Sequence, residues 1–417
     1  MEQEQINDLV EKLESGAVKL HEVENFTAND SNAATIVRRV YLEKKLGFPL
    51  KHIGSTIVDF NDSISRNIEN PIGAVQIPLG YAGDMKINGD HVSGTVPILM
   101  ATTEGRLVAG VARGITVANR AGGVNVSVLK DGMTRDVLVR TGGAKESATL
   151  AKWIMTEEGF NLLKEGFSKT TKHGKLKEVR PYVIGRDTHL RFKAETGAAM
   201  GMNMLTIAGK AAVDYILPKL KEKGINAFVV SESGNLCSDK KPAFINVIEG
   251  RGVTLTADIV VPPEVLKERF RVSAAAIADL CKSKNLIGSA LAGSHGFNAH
   301  FANILASMFM AFGQDVAQIV EGSQGVTDAA VLEDGSLYFS CYLPAIEVGT
   351  YGGGTKRETQ KEALKIMGLY GENDPEGITR LKLAEIIGAA CLIGDLNLLA
   401  IQAAGELSKT HGSIKRG

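Results

Sequence analysis

Apolar residues recur every three or four positions over 4–22 and again over 33–46, the spacing that lays one hydrophobic stripe along a helix. The second stretch follows Asn29-Asp30-Ser31-Asn32, a cluster of side chains suited to capping a helix N-terminus. Two amphipathic helices therefore open the chain. From Glu69 to Gly123 the texture changes to glycine, proline and short apolar runs (ENPIGAVQIPLGYAG, then PILMATTEG), which predicts strand and loop. Between 124 and 232, NVSVL and DVLVR alternate with period two, 144–164 is helical, EVRPYVIG and THLRFKA alternate again, 199–222 is helical, and NAFVVS is a strand. That order contains β-α-β-β-α-β, the pattern of a ferredoxin-like domain. Beyond Cys237 helical spacing dominates (264–283, 297–312, 359–368, 379–407), with strands near 253–260 and 329–343. The simplest architecture is α+β: a mostly helical domain that resumes after an inserted α/β domain.

At 417 residues the chain has room for two to three domains, and 44% hydrophobic with 23% charged residues is ordinary globular composition. Basic and acidic residues number 47 each, so no bulk charge draws the chain to nucleic acid or to an anionic membrane, and any anion site is local. Cys237, Cys281, Cys341 and Cys391 lie far apart with no C-x-x-C, against a zinc ribbon or a disulfide scaffold and in keeping with a reducing cytoplasm. The acidic start MEQEQI lacks the features of a secretory signal. Ile386 to Ala404 is the most apolar stretch, but Asp395, Asn397 and Gln402 interrupt it, which predicts a buried helix and no membrane span. A cytoplasmic location is the expectation.

Neither G-x-G-x-x-G, G-x-x-x-x-G-K-[ST] nor H-E-x-x-H occurs, and the eight histidines are dispersed, so no Rossmann fingerprint, P-loop or metal site is expected. What remain are polar islands in apolar surroundings. Ala101-Thr102-Thr103-Glu104-Gly105 places a carboxyl group on a loop where partial burial would raise its pKa enough to donate a proton. Ser238-Asp239-Lys240-Lys241-Pro242 sets adjacent cations beside a carboxylate, able to clamp an anion or polarise a carbonyl. In Gly296-Phe297-Asn298-Ala299-His300-Phe301-Ala302-Asn303, His300 and Asn303 share a helix face, and Gly313-Gln314-Asp315 would end that helix with Asp315 at the bottom of the same cavity. Lys409-Thr410-His411, with Arg416 beyond, forms a glycine-containing tail able to close over a site. Each island singly also fits a plain structural role: a turn, a solvated charge run, a satisfied core pair, an exposed tail.

Together and in this order the islands resemble the 3-hydroxy-3-methylglutaryl-CoA reductases, from about Ala34 to the C-terminus. The strings that carry the resemblance are ENPIG (69–73), ATTEG (101–105), DGMTR (131–135), MGMNM (200–204), DKKPA (239–243), GFNAHFANI (296–304), GQDVAQ (313–318) and GTYGGGT (349–355). The resemblance, which is to the eukaryotic and archaeal class without a membrane anchor, implies a helical N-terminal part (1–68), a large substrate domain around a long central helix (69–135 and 233–417) and an inserted ferredoxin-like cofactor domain (136–232). It implies a four-electron reduction of a thioester to an alcohol with two NADPH, by way of a hemithioacetal and an aldehyde. Lys240 falls at the catalytic lysine, Glu104 at the glutamate that protonates the aldehyde oxygen, Asp315 at the aspartate that joins the two, and His411 at the histidine that protonates the CoA thiolate. Arg135, Ser233, Asp239, Lys241, His300 and Asn303 fall in the hydroxymethylglutaryl pocket, and Arg113 where CoA phosphates bind. Met200, Gly201, Met202 and Asn203 match the cofactor motif, and Thr171, Lys172 and Arg416 the site of the cofactor's 2′-phosphate. The family builds its site between subunits, which implies a homo-oligomer, with no nucleic-acid partner.

The sequence departs from the family pattern at Ala198, Ala112, Ile319, His295 and Asp395-Leu396-Asn397. The four chemical residues remain. Three readings follow: the mevalonate-forming reductase, a paralogue reducing another acyl-CoA, and a non-catalytic binding or regulatory homologue.

Overall fold

A computed structural model describes residues 1–61 and 67–405. The helices Gln3–Glu14 and Ser31–Leu46 open the chain. Asp30 caps the second by accepting from Ala33 N at 3.1 Å, and Gly47, at φ 76°, ends it. Ile6, Leu9, Val10 and Leu13 pack with Val23, Ala34 and Val37 into a small core of their own.

Nine strands follow among the described residues: β1 (Leu79–Gly89), β2 (Ser93–Ala101), β3 (Val124–Arg140), β4 (Lys175–Ile184), β5 (Asp187–Glu195), β6 (Phe228–Ser231), β7 (Gly252–Val261), β8 (Val326–Val331) and β9 (Leu337–Ile346). One sheet runs β2-β1-β3-β7-β9-β8, with only β1 and β3 parallel. A second runs β4-β5-β3-β6, all antiparallel. β3 belongs to both: Asn125–Gly132 pairs with β7, and Met133–Arg140 pairs with β5. The division expected at 135/136 thus lies inside a continuous strand. In the second sheet, helices Ala144–Ile154, Glu157–Ser168 and Met202–Glu222 complete the β-α-β-β-α-β order. Leu150, Leu163, Phe167, Leu205 and Ala212 fill its core against Val137, Leu190 and Phe192.

The helix Ile378–Ala403 is the axis of the larger core and packs against β7, β3, β9 and the helices Leu107–Arg120 and Phe301–Ala311. Its length and apolarity would suffice to cross a membrane, yet most of its apolar window is buried inside the fold. Three buried charges on it are each bonded. Arg380 holds Asp131 in a fork at 2.9 and 2.7 Å, Glu385 accepts from His91 and Val92, and Asp395 accepts from Ala299 and His300.

Several elements differ from the periodicity. The stretch 144–164 is two helices because Thr156 caps a new one, accepting from Gly159 N at 3.2 Å. The 264–283 stretch is broken at Arg271, whose φ of 56° ends a wide turn, and Ser273 caps Ala274–Leu280. The 297–312 helix starts only at Phe301, because Asn298 spends its amide on Ser323 O and Gly325 O.

Candidate active site

The segment from Glu232 to Ala243 joins β6 to the short helix Phe244–Glu249. Its backbone takes a left-handed turn at three residues with side chains, Asn235 (φ 67°), Ser238 (φ 54°) and Lys240 (φ 59°). Such conformations persist only where neighbours over-determine them. Here buried side chains capture backbone N–H groups along the loop. Asp136 on β3 accepts from Leu236 N at 2.9 Å and from His189 Nδ1 at 2.8 Å, Gln324 accepts from Ala243 N at 2.8 Å, and the Glu321 carboxyl accepts from Lys240 N. The loop thereby delivers Lys240 Nζ to 2.9 Å from Asp315 Oδ2. The hydrogen bond that Lys240 donates to Asp315 raises the lysine's pKa above its ordinary value, against the opposing effect of burial. The result is a fixed ammonium, which suits stabilisation of a developing oxyanion.

Asp239 is held from below. Its Oδ1 accepts from Arg251 Nη2 at 3.0 Å and Gln318 Nε2 at 3.2 Å, and its Oδ2 lies 3.4 Å from Arg135 Nη1. Arg251 is fully buried and also contacts Glu347 at 2.6 Å and Glu321 at 3.0 Å, both fully buried. Burial pushes the Glu321 carboxyl up to about 7, and that of Glu347 well above the usual range. Asp239, Glu321 and Glu347 present oxygens within 4.8 Å of one another, a grouping that could suit a cation, but the Arg251 guanidinium already supplies the positive charge among them.

Lys240 and Asp315 line a cleft of about 720 Å³ with Arg135, Asp239, Met200, Gly201, Met202, Asn203 and the 349–355 turn. The N-terminus of the 21-residue helix Met202–Glu222 opens onto it, and the N–H groups of a helix's first turn suit a diphosphate. Gly201 begins that helix at φ 90°, where an added Cβ would lie 2.2 Å from Thr196 Cγ2. Gly349 lets the 198–200 segment approach, since a Cβ there would fall 2.6 Å from Met200 N. Thr171 reaches this helix, 3.0 Å from the Met204 sulfur, while Lys172 beside it is exposed and outside the cleft lining. A dinucleotide fits these residues: an open cleft, a helix N-terminus and a side-chain-free entry to it.

A second group forms elsewhere. Asn303 Nδ2 donates to Glu104 Oε1 at 3.3 Å and lies 3.5 Å from His300 Nδ1. His300 Nε2 meets Gly394 O at 2.9 Å, so Nε2 carries the proton and Nδ1 faces Asn303 as an acceptor. Asp395, fully buried, fixes the turn by accepting from His300 N at 2.9 Å and Ala299 N at 2.8 Å. Lys284 is half-buried nearby; desolvation lowers its pKa while Asp395 opposes the shift. The expectation that Asp315 shares a cavity with His300 and Asn303 is not met. The helix Phe301–Ala311 stands between them, about 16 Å at 1.5 Å per residue, with His300 before its start and Asp315 beyond its end.

Arg113 lies apart, lining a small pocket with Thr116, Glu268, Arg269 and Arg271. Its guanidinium donates to Arg269 O at 2.9 Å and stacks 5.1 Å over Phe270. Ser233 is tied to Ser231, and exposed Lys241 donates to Asp239 O at 3.1 Å, so both stay on the loop but outside the cleft lining. His411 and Arg416 lie outside the described residues. Among the departures, Ala198 is buried, its carbonyl accepting from Thr350 N at 2.8 Å, and a Cβ at Gly371 would lie 2.9 Å from its own. His295 stacks on Phe244 at 4.6 Å, and Ile319 and Ala112 pack against the main core. Sequence reasoning missed Arg251, Glu321, Glu347 and Lys284, and named Asp395 only as a departure from the family pattern; the available signal was a charge set inside an apolar run, as in QIVEGS.

The sequence profile described as hydroxymethylglutaryl-coenzyme A reductase matches residues 34–416. The chain belongs to this family. The 3-hydroxy-3-methylglutaryl-coenzyme A reductase of Pyrococcus abyssi is 47% identical over 412 residues, covering 99% of this chain and 100% of that one. That of Methanocaldococcus jannaschii is 45% identical over 414 residues, covering 99% and 100%. Among solved structures, the class II reductase of Streptococcus pneumoniae bound to NADPH in open conformations superposes with a TM-score of 0.61 at 19% identity, over 85% of this chain and 80% of that one. That likeness is one of fold.

Proposed function

We propose that the chain performs the reaction named by its family, the NADPH-dependent reduction of 3-hydroxy-3-methylglutaryl-CoA to mevalonate and CoA. The observation that carries the reading is the Lys240–Asp315 pair, fixed by a strained and anchored loop at the edge of the cleft that opens on the helix N-terminus at Met202. The cofactor, held by Met200 to Asn203 with Thr171, Lys172 and Arg416 toward its 2′-phosphate, supplies a hydride at each of two reductions. Lys240 stabilises the negative charge that grows on the carbonyl oxygen each time. His411 gives a proton to the departing CoA thiolate, and Glu104 gives one to the aldehyde oxygen. Arg135, Ser233, Asp239, Lys241, His300 and Asn303 take the substrate's acyl portion, and Arg113 the CoA phosphates.

In one chain, Glu104 and Lys240 belong to groups at opposite ends of the helix Phe301–Ala311, which supports a site completed by a second copy. Ile57, Val75, Ile77 and Leu79 expose apolar surface beside Ala101, close in sequence to Glu104, and are suited to that contact. Four buried free thiols suit a reducing compartment, the cytoplasm.

The test is NADPH oxidation by the purified protein with hydroxymethylglutaryl-CoA against a panel of other acyl-CoAs, with products identified. Two NADPH oxidised per CoA released, with mevalonate formed, is the expected result. Turnover confined to another acyl-CoA, or none at all, overturns it.

A further inference from the structure

We propose that Glu321, beneath the catalytic loop, is a positioning residue for Lys240. It captures the lysine's backbone N–H and, through Arg251, fixes the adjoining Asp239. This rests on the reading of Lys240 as the group that stabilises the oxyanion.

Lys240 has a left-handed backbone that a side-chain-bearing residue adopts only when held. The contacts made by Asp136 and Gln324 hold Gly234, Leu236 and Ala243, the two ends of the loop. At its centre the capture of Lys240 N falls to Glu321 Oε1, the same oxygen that lies 3.0 Å from Arg251 Nη1. Arg251 then reaches Asp239 Oδ1 with its other terminal nitrogen at 3.0 Å. One buried ion cluster therefore sets two consecutive residues of the loop, and Asp315 sets the lysine's far end. Glu321 is fully buried and is not among the residues lining the cleft, so it acts through Lys240. Among the described residues, its Oε2 and Oε1 of Glu347 are buried without a hydrogen-bond partner. An amide in place of the Glu321 carboxyl would keep the oxygen that serves Lys240 and put its NH₂ at the partnerless position.

The experiment compares Glu321→Gln, Glu321→Ala and Glu321→Asp with Lys240→Ala, reading kcat, KM for hydroxymethylglutaryl-CoA, melting temperature, and the NMR titration of ¹³C-dimethylated lysines. The Lys240 signal is assigned by its loss in Lys240→Ala. Positioning predicts that Glu321→Gln keeps kcat within about threefold. Glu321→Ala and Glu321→Asp lose about tenfold or more in kcat with KM little changed, the pattern of an interaction needed only in the transition state. In both, the Lys240 signal should titrate at lower pH as the ammonium leaves Asp315. Should Glu321→Ala not fold, Glu321→Asp carries the test, because it keeps the charge and withdraws the oxygen. Wild-type kcat in Glu321→Asp overturns the proposal, as does an unmoved Lys240 signal, or equal losses in the Gln and Ala variants in step with melting temperature. If Lys240→Ala itself turns over normally, the chemical role of Lys240 falls, and the NMR signal still decides whether Glu321 positions it.

Discussion

Lys240 has both its backbone and its charge set before any substrate arrives, the first by the loop and the second by Asp315. Little reorganisation then remains for the reaction, which is what makes a preorganised charge effective. Lys240→Ala should lower kcat by roughly 10²–10³-fold while the folded protein still binds NADPH, as steady-state kinetics and equilibrium binding would show. Glu321 gives a stability prediction with a definite sign. Its folded-state pKa is raised from 4.5 to about 7, so the folded state holds this proton more tightly than the unfolded chain. The stabilisation is complete below pH 4.5 and is lost as pH rises through about 7. Glu321→Gln cannot lose that proton, so its stability relative to wild type should improve steadily between these pH values in denaturant titrations. At Ala198 the structure favours adaptation. The site is buried, its carbonyl is engaged by Thr350, and its Cβ faces Gly371, where an added Cβ would come within 2.9 Å of it. Ala198→Asp should destabilise by about 3 kcal/mol, the scale for burying a polar group without a partner, without tightening NADPH binding. A melting curve and a cofactor titration check both parts.

The helix Met202–Glu222 owes its entry to one residue. Gly201 has a φ of 90°, and a Cβ on it would collide with Thr196. Gly201→Ala should therefore shift the first turn of the helix and weaken NADPH binding more than acyl-CoA binding, measured by titrating each ligand separately. Strands such as β5 and β7 were legible in the sequence because period-two alternation survives wherever one face is buried. Resemblance carried MGMNM and DKKPA to the cleft for the same local reason: each is a contiguous string that folds as a unit. What the sequence could not reveal was tertiary in origin. The break at Arg271 and the late start at Phe301 depend on capping and on contacts with Ser323 and Gly325, more than 20 residues away. Asp315 was placed with His300 because helical periodicity gives the face of a side chain, whereas the length of the intervening helix decides which site it reaches. The Arg251 cluster was unreadable because its members lie just before β7, on the loop at Asp239, in the short helix Ile319–Gly322 and just after β9, brought together only by the fold.

At the scale of the molecule, the polar groups of Glu104 and Lys240 stand at opposite ends of the helix Phe301–Ala311. If a second copy completes the site, Lys240→Ala and Glu104→Gln inactivate different halves. Equal amounts of the two inactive variants, mixed under conditions that exchange subunits, should recover about a quarter of wild-type activity, since half the dimers are mixed and each has one intact site of two. No recovery, with exchange shown by mass spectrometry, would place the whole site in a single chain. β3 carries a further consequence, one that concerns the nascent chain. Its first half finds β7 only at pairs such as Val126 with Ala257, more than a hundred residues downstream. At the usual 5–20 residues per second, ribosomes leave that edge without its partner for about 7–26 s. The β7-facing edge of Asn125, Val126, Ser127 and Val128 is therefore unpaired during synthesis, and the rate at which residues 130–260 emerge from the ribosome becomes a determinant of yield: slower translation there lengthens the interval in which neighbouring chains can pair with β3 in place of β7.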